Sequence, residues 1–286
     1  MKAKIIVKGY KLTCKIESSG LRSLYRAVHQ TSGEEVFMQI FTLKLGKSLN
    51  LLMQRAKVSK QLHKIALIVA KDYGYISQSN HFYYTYPYEH YRLLSSVLSE
   101  HSGDIYFYTL AKHMLKVLKT VDYLHRAGTT HRHLTKNQLL VNKAGELKIN
   151  GFINTRAKYE PKMRTNMIHM PYLAPELLMG TASVDRKTDI YSLGVIFYEL
   201  LTGKLPFKSN HAKIQCLRDG IGSVIEDINH VPKSFKVMFS KALANRKERF
   251  TSVNKWMDAL ENYYNRRPFS LKIKDLSTDF IRLLKL

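Results

Sequence analysis

The sequence predicts an α+β protein in which a small antiparallel β-sheet comes first and a larger, mostly helical part follows. Between residues 10 and 88, short runs rich in Val, Ile, Tyr, Phe and Thr predict strands. Beyond them, apolar residues recur at helical spacing, most clearly over residues 106–127. The chain of 286 residues is 45% hydrophobic, which is enough to bury a large core.

The elements follow in this order. Strands are predicted over residues 10–16, 23–29 and 35–41, with a turn at Gly33 between the second and the third. A helix over residues 49–62 precedes two further strands between residues 66 and 88. The long helix then places six apolar residues on one face: Leu110, Met114, Val117, Leu118, Val121 and Leu124.

The chain is strongly basic, with 46 Lys and Arg against 22 Asp and Glu and a net charge of +24. We interpret this charge as spread over a solvated surface, because the sequence contains no dense block of Lys and Arg. The alternative is an anionic partner, which would be a nucleic acid, an acidic protein or a lipid surface.

Several features bear on the location of the protein. The sequence has no run of about 18 apolar residues, so no membrane span is expected, and its N-terminus lacks the apolar core of a signal peptide. Cys14 and Cys216 lie far apart and predict buried thiols in a reducing compartment. We therefore expect a cytoplasmic protein, with the nucleus as an open alternative.

Four motifs carry a family resemblance. HRHLTKNQ at residues 131–138 is followed by GFI at 151–153, APE at 174–176 and DIYSLG at 189–194. The first two resemble the catalytic loop H-R-D-L-x-x-x-N and the D-F-G motif of eukaryotic-type Ser/Thr protein kinases. The last two resemble the A-P-E motif and the buried helix of the large lobe. The resemblance covers residues 10–267.

The resemblance implies a two-lobed protein-kinase-like fold over residues 1–267. Its N-lobe, about residues 1–88, would be a small antiparallel β-sheet with one main helix, and its C-lobe, about 91–267, would be mostly helical. Residues 268–286 form a tail in which five apolar residues suit a short amphipathic helix: Leu276, Phe280, Ile281, Leu283 and Leu284. We expect this tail to pack on the domain, and a docking tail for a partner is the alternative.

The resemblance also indicates where the reactive groups of the family would stand. His133 takes the place of the catalytic Asp, while Gln138 and Gly151 take the places of the metal-binding Asn and Asp. Gln39 replaces the lysine that pairs with the phosphates, and Gln54 replaces the glutamate partner of that lysine. A general-base role for His133 is the alternative to an inert loop histidine.

The nucleotide pocket of the family would be altered as well. Glu17, Ser19 and Arg22 stand where the glycine-rich loop has its three glycines. Phe37 replaces the small alanine above the adenine, and Tyr86 stands at the gatekeeper position, so we expect both rings to block the pocket. The sequence therefore predicts neither a cofactor nor a metal ion.

Contacts of the family's scaffold are retained in the sequence. Asp189 is expected to cap the backbone of the catalytic loop, and Glu176 is expected to form an ion pair with Arg249. We therefore predict a pseudokinase that is not an enzyme and that acts as a protein-binding scaffold or regulator. Its partner would be another protein, such as an active kinase or an acidic or phosphorylated protein.

Two alternatives stay open. One is an enzyme with non-standard transferase chemistry, or with weak residual kinase activity, on the kinase fold. The other is a basic module that binds nucleic acid or another polyanion, which requires the charge to cluster on one face of the protein.

Overall fold

The computed structural model describes residues 5–19, 21–43, 49–62, 66–132, 134–153, 170–180, 184–219 and 231–265. These residues form two compact units. The first contains the described residues up to 90 together with 152–153, and the second contains residues 91–151 and the described residues from 170 onward. The strands dominate the first unit and the helices dominate the second. The predicted mixed α+β fold is therefore confirmed.

The first unit is built on a five-stranded antiparallel sheet with the strand order β1-β2-β3-β5-β4. Gly33, with φ +72°, turns the chain between β2 and β3, a conformation that glycine adopts without strain. One main helix, α1, packs against β4 and β5. The bounds are β1 Tyr10–Ser19, β2 Arg22–His29, β3 Glu35–Thr42, α1 Leu49–Gln61, β4 Asp72–Ile76 and β5 His81–Pro87.

The second unit begins with β6 and α2, and a small antiparallel sheet β6-β7-β8 lies beside its helices. Two short 3-10 turns, Lys136–Gln138 and Met170–Tyr172, lie in its loops. Its elements are β6 Tyr91–Leu93, α2 Leu94–Leu98, α3 Gly103–Arg126, β7 Leu139–Asn142, β8 Leu147–Ile149, α4 Pro175–Leu178, α5 Arg186–Thr202, α6 Asn210–Asp219, α7 Lys233–Ala242 and α8 Val253–Asn265.

Helix α5 forms the centre of the second unit. Every residue from Thr188 to Leu201 is buried, as expected for a helix that is apolar on nearly all sides. Asp185 caps its N-terminus by accepting from the backbone N–H groups of Lys187 and Thr188. Gly203, with φ +73°, ends the helix in a left-handed conformation.

Helix α3 confirms the predicted apolar face, since all six predicted residues are fully buried. The cysteine prediction holds less well. Cys14 is exposed on β1 and Cys216 is only half-buried on α6, so the expectation of two buried thiols is wrong for Cys14. Within the ranges given above, no helix combines the length and the apolar character that crossing a membrane requires.

Candidate active site

The loop at residues 131–138 is held by one buried carboxylate. Asp189 of α5 accepts from the backbone N–H groups of His131 and Arg132, each at 2.7 Å, and lies 3.0 Å from Nε2 of His125. Burial alone would raise the pKa of Asp189, but the hydrogen bond and charge of His125 and the contacts with His131 and Arg132 hold it below its ordinary value. The predicted cap of this loop by Asp189 is confirmed.

Arg132 adopts φ +69° in this loop, a conformation that costs about 1–3 kcal/mol for a residue other than glycine. The two hydrogen bonds to Asp189 offset that cost. His133, which takes the place of the catalytic Asp, lies outside the described residues. Its role as a general base or an inert histidine therefore stays a prediction.

The structure brings Gln138 and Gly151 together, the two residues that stand in the metal-binding positions. Oε1 of Gln138 accepts from the backbone N–H of Thr135 at 3.0 Å. The backbone carbonyl of Gln138 accepts from the N–H of Asn150 at 2.9 Å. Gly151 has φ +89°, and a Cβ built on it would lie 2.6 Å from Nε2 of Gln138. The amide side chain therefore fills the space beside Gly151.

This arrangement does not fit a magnesium ion held as the family resemblance implies. Such ions are bound through carboxylates together with phosphate oxygens, whereas Gln138 offers an amide oxygen that is already engaged and Gly151 offers no side chain. Among the described residues, no three His, Cys, Asp or Glu side chains cluster in a way that could hold a metal ion.

Gln39 and Gln54, which stand in the places of the lysine and its glutamate partner, differ in burial. Gln39 is 5% exposed on β3, whereas Gln54 is exposed on α1. Instead, α1 buries Arg55, whose Nε donates to the carbonyl of Phe152 at 2.8 Å. The guanidinium also lies 4.4 Å from the centre of the Phe152 ring. Sequence analysis missed Arg55, although it shares a helical face with the buried Leu52, Ala56 and Ser59.

Phe37 and Tyr86 lie opposite each other on β3 and β5, with ring centres 5.3 Å apart. The ring of Phe37 also contacts Tyr88, at 4.7 Å. The Arg26 guanidinium lies 4.8 Å from the Tyr88 ring and forms an ion pair with Glu35. The predicted blocking residues therefore belong to one aromatic cluster of the first unit, and the blocking itself stays a prediction.

The residues at the glycine positions lie on the first hairpin. Ser19 of β1 pairs with Arg22 of β2, and Nη2 of Arg22 lies 3.4 Å from Oε1 of Glu17. Both charged side chains are largely exposed, at 42% and 55%, so their pair contributes little to stability. Their opposite charges offset each other at this hairpin.

The predicted ion pair between Glu176 and Arg249 is confirmed. Two hydrogen bonds join the side chains, at 2.7 and 3.2 Å, and Arg249 is 1% exposed. The guanidinium also donates to the carbonyls of Ala244 and Lys187. It further lies 4.8 Å from the centre of the Tyr191 ring. A buried pair needs such additional hydrogen bonds to offset its desolvation.

Glu199 is a further buried carboxylate, which sequence analysis missed, and it lies near the loop at residues 131–138. Oε1 of Glu199 is 2.8 Å from Nζ of Lys136, and its Oε2 accepts from the hydroxyl of Tyr172 at 2.5 Å. Burial, followed by the hydrogen bond and charge of Glu199, raises the pKa of Tyr172. Glu199 could have been predicted from the sequence as a buried, paired carboxylate, because it is an acidic residue inside the apolar run of α5 and a buried charge needs partners.

Comparison with known families identifies the family to which this chain belongs. The model of the protein kinase domain matches residues 18–276, which is most of the chain. This chain belongs to the protein kinase family. The predicted family and its two-lobed α+β fold are thereby confirmed.

Several serine/threonine-protein kinases resemble this chain. Probable serine/threonine-protein kinase PknB of Lactococcus lactis is 32% identical over 149 residues, which is 50% of this chain and 24% of that protein. A probable serine/threonine-protein kinase of Clostridium acetobutylicum is 22% identical, over 91% of this chain and 41% of that protein. PknD of Chlamydia trachomatis is 26% identical, over 91% of this chain and 32% of that protein.

These comparisons correct one prediction. The expectation that this kinase-family chain is not an enzyme is wrong, because its relatives are named serine/threonine-protein kinases and therefore point to an enzyme. The chain spans between about a quarter and two fifths of the length of these three relatives.

Proposed function

We propose that this member of the protein kinase family binds another protein and regulates it in a signalling pathway. The observation that carries the proposal is the set of contacts of the loop at residues 131–138. Asp189 holds one end of the described loop and the Gln138–Thr135 hydrogen bond holds the other. A loop fixed by contacts within the chain is preorganised, so a partner that binds it does not have to order it.

The charge of the chain indicates the kind of partner. A net charge of +24 favours an acidic or phosphorylated protein, such as an active kinase, and its attraction weakens as salt rises. The candidate contact is the basic segment with Arg156, Lys158, Lys162 and Arg164, which lies outside the described residues.

We also propose a cytoplasmic location, because a chain with only two cysteines suits a reducing compartment.

The test is a capture experiment at several salt concentrations, followed by measured affinities for each captured protein. The test variant changes Arg156, Lys158, Lys162 and Arg164 to Ser. The matched control removes the same charge from four exposed lysines of the second unit, by changing Lys116, Lys143, Lys204 and Lys255 to Ser. We expect the test variant to lose an acidic partner that wild type and control retain.

Equal binding by all three forms would overturn the role of the basic segment. Loss of capture after nuclease treatment would instead favour the nucleic-acid alternative, because that outcome requires the polyanion and not a protein.

A second candidate function is phosphoryl transfer, which the names of the relatives favour. It is tested by incubating the purified chain with labelled ATP, Mg²⁺ or Mn²⁺, and a protein substrate. Incorporation that exceeds that of the His133→Ala variant would support this candidate and a role for His133. Equal incorporation by both forms would contradict that role.

A further inference from the structure

An open groove lies in the second unit, between α2, the beginning of α3 and the end of α5. Its volume is about 620 Å³, which is within the range of pockets that hold a ligand and leaves room for several side chains of a chain segment. The residues that shape it include Ser95, Tyr106, Phe107, Lys136, Leu200 and Leu201.

The lining of this groove suits an apolar occupant. The hydroxyl of Tyr106 donates to the carbonyl of Leu200, so the polar end of this side chain is engaged and its ring remains as an apolar wall. The charged residues at the groove, Lys136 and Glu199, pair with each other at 2.8 Å. The groove therefore offers little net charge to an ion and mostly apolar surface to a partner segment.

The last described helix, α8, runs toward this groove. Lys119, in the middle of α3, lies 3.3 Å from Glu261 of α8. Closer to the end of α8, the ring centre of Tyr263 is 4.7 Å from that of Phe235 on α7. Phe235 in turn lies 6.3 Å from Phe107 in the groove wall. As α8 advances, its neighbours on α3 therefore move back toward the first turns of α3, and α8 ends beside the groove.

The chain continues from this point into residues 266–286, which lie outside the described residues and include the tail, residues 268–286. Leu276, Phe280, Leu283 and Leu284 of the tail follow the spacing i, i+4, i+7 and i+8. This is the spacing of an amphipathic helix that lays one apolar face into a groove. Residues 266–275 can span up to about 33 Å, at about 3.3 Å each, so the tail can reach the neighbouring groove.

We propose that the tail docks in this groove of its own chain, with its apolar face against the groove's apolar wall. Docking removes two apolar surfaces from water. Because the tail is joined to α8, its effective concentration at the groove is on the order of 1 mM. An affinity of about 0.1 mM for the free segment would then keep the tail docked about nine-tenths of the time. This inference does not depend on the proposed function.

Amide hydrogen exchange of the full purified chain tests the proposal. Ser95→Trp is designed to fill the groove, and Ser96→Trp is the matched control at an exposed position of the same helix. In wild type and in the control, the amides of residues 276–284 should exchange about tenfold more slowly than their intrinsic rates. In Ser95→Trp they should exchange close to those rates. A tail that exchanges at intrinsic rates in wild type, or that stays protected in Ser95→Trp, would overturn the proposal.

A reciprocal measurement covers the case in which Ser95→Trp fails to fold. Its reporter in the groove is the N–H of Ser99, which donates to the carbonyl of Ser95 at 3.1 Å. Changing Phe280 and Leu284 together to Ser should speed the exchange of this N–H by about tenfold, because a docked tail stabilises the groove by mass action. The control changes Lys274 and Lys285 to Ser on the opposite face of the tail. Equal exchange in wild type and in the Phe280 and Leu284 variant would contradict docking.

Protein concentration separates docking within one chain from docking between two copies. Exchange and molecular mass are measured at two concentrations that differ tenfold, the mass by light scattering. Equal protection at both concentrations, with the mass of one chain, supports the proposal. Protection that rises with concentration, together with the mass of two chains, would assign the groove to the tail of a second copy and would overturn it.

Discussion

The side chain of Gln138 occupies the space that a side chain on Gly151 would need. A Cβ built on Gly151 would lie 2.6 Å from Nε2 and 3.1 Å from Cδ of Gln138. Real Cβ atoms do not approach other atoms so closely, so one of the two residues must move if position 151 gains a side chain. Gln138 is held by its hydrogen bond with Thr135, which makes that movement costly.

We expect Gly151→Ala to destabilise the fold by about 2–4 kcal/mol, as the sum of backbone strain at positive φ and overpacking against Gln138. The measurement is the free energy of unfolding in urea. The double variant Gly151→Ala with Gln138→Ala should recover the overpacking part, because it removes the side chain that the new Cβ would meet.

Gly203→Ala provides the matched control for this prediction. Gly203 has φ +73°, but a Cβ built there meets no atom within 4 Å. The loss of unfolding free energy in Gly203→Ala therefore measures backbone strain alone. If Gly151→Ala and Gly203→Ala lower the free energy of unfolding equally, Gln138 does not restrict position 151.

The buried pair of Glu176 and Arg249 leads to a prediction about stability. Replacing Arg249 with Met should lower the free energy of unfolding by about 3–5 kcal/mol, because Glu176 would keep a buried charge without its partner. The exposed pair of Lys119 and Glu261, 3.3 Å apart, serves as control. Lys119→Met should cost less than about 1 kcal/mol. An unchanged unfolding midpoint for Arg249→Met would contradict the structural role of the pair.

The fold was predictable from the sequence because its signals are local. The apolar face of α3 and the strands near residues 10–42 follow from side-chain periodicity, which depends only on neighbouring residues. The contact of Glu176 with Arg249 was predictable for a different reason, since the family resemblance supplied both positions.

The details of the candidate site were not predictable in the same way. The choice between Gln54 and Arg55 as the buried residue depends on the rotation of α1 against the sheet, which helical spacing leaves open. The closeness of Gln138 and Gly151 depends on one rotamer and one positive φ.

Asp189 leads to a prediction about pH. Its pKa lies below the ordinary value of 3.8, so the unfolded chain binds this proton more tightly than the folded chain. The stability that Asp189 contributes is therefore present above that ordinary value and is lost as the pH falls through the folded pKa. Asp189→Asn should destabilise the protein at neutral pH. The difference in free energy of unfolding between wild type and this variant should become smaller as the pH falls.

The measurement for Asp189 is the urea midpoint of wild type and variant from neutral to acidic pH. Asp258→Asn, at an exposed position of α8, controls for the loss of one surface carboxylate and should change the midpoint little at any pH. A gap between wild type and Asp189→Asn that stays constant down to the lowest pH would exclude the proposed linkage.

Arg55 leads to a prediction about how its guanidinium contributes to the first unit. The group donates to the Phe152 carbonyl and lies against the ring of the same residue, and a planar guanidinium makes both contacts at once whereas an ammonium does not. Arg55→Met should cost about 1.5–3 kcal/mol, the usual worth of a hydrogen bond from a charged donor. Arg55→Lys should recover less than half of this loss, because lysine keeps the charge but not the planar contact. Gln54→Met, at the exposed neighbouring position, should stay within about 0.5 kcal/mol of wild type. If Arg55→Lys is as stable as wild type in urea unfolding, the charge alone suffices and the planar contact with Phe152 contributes nothing.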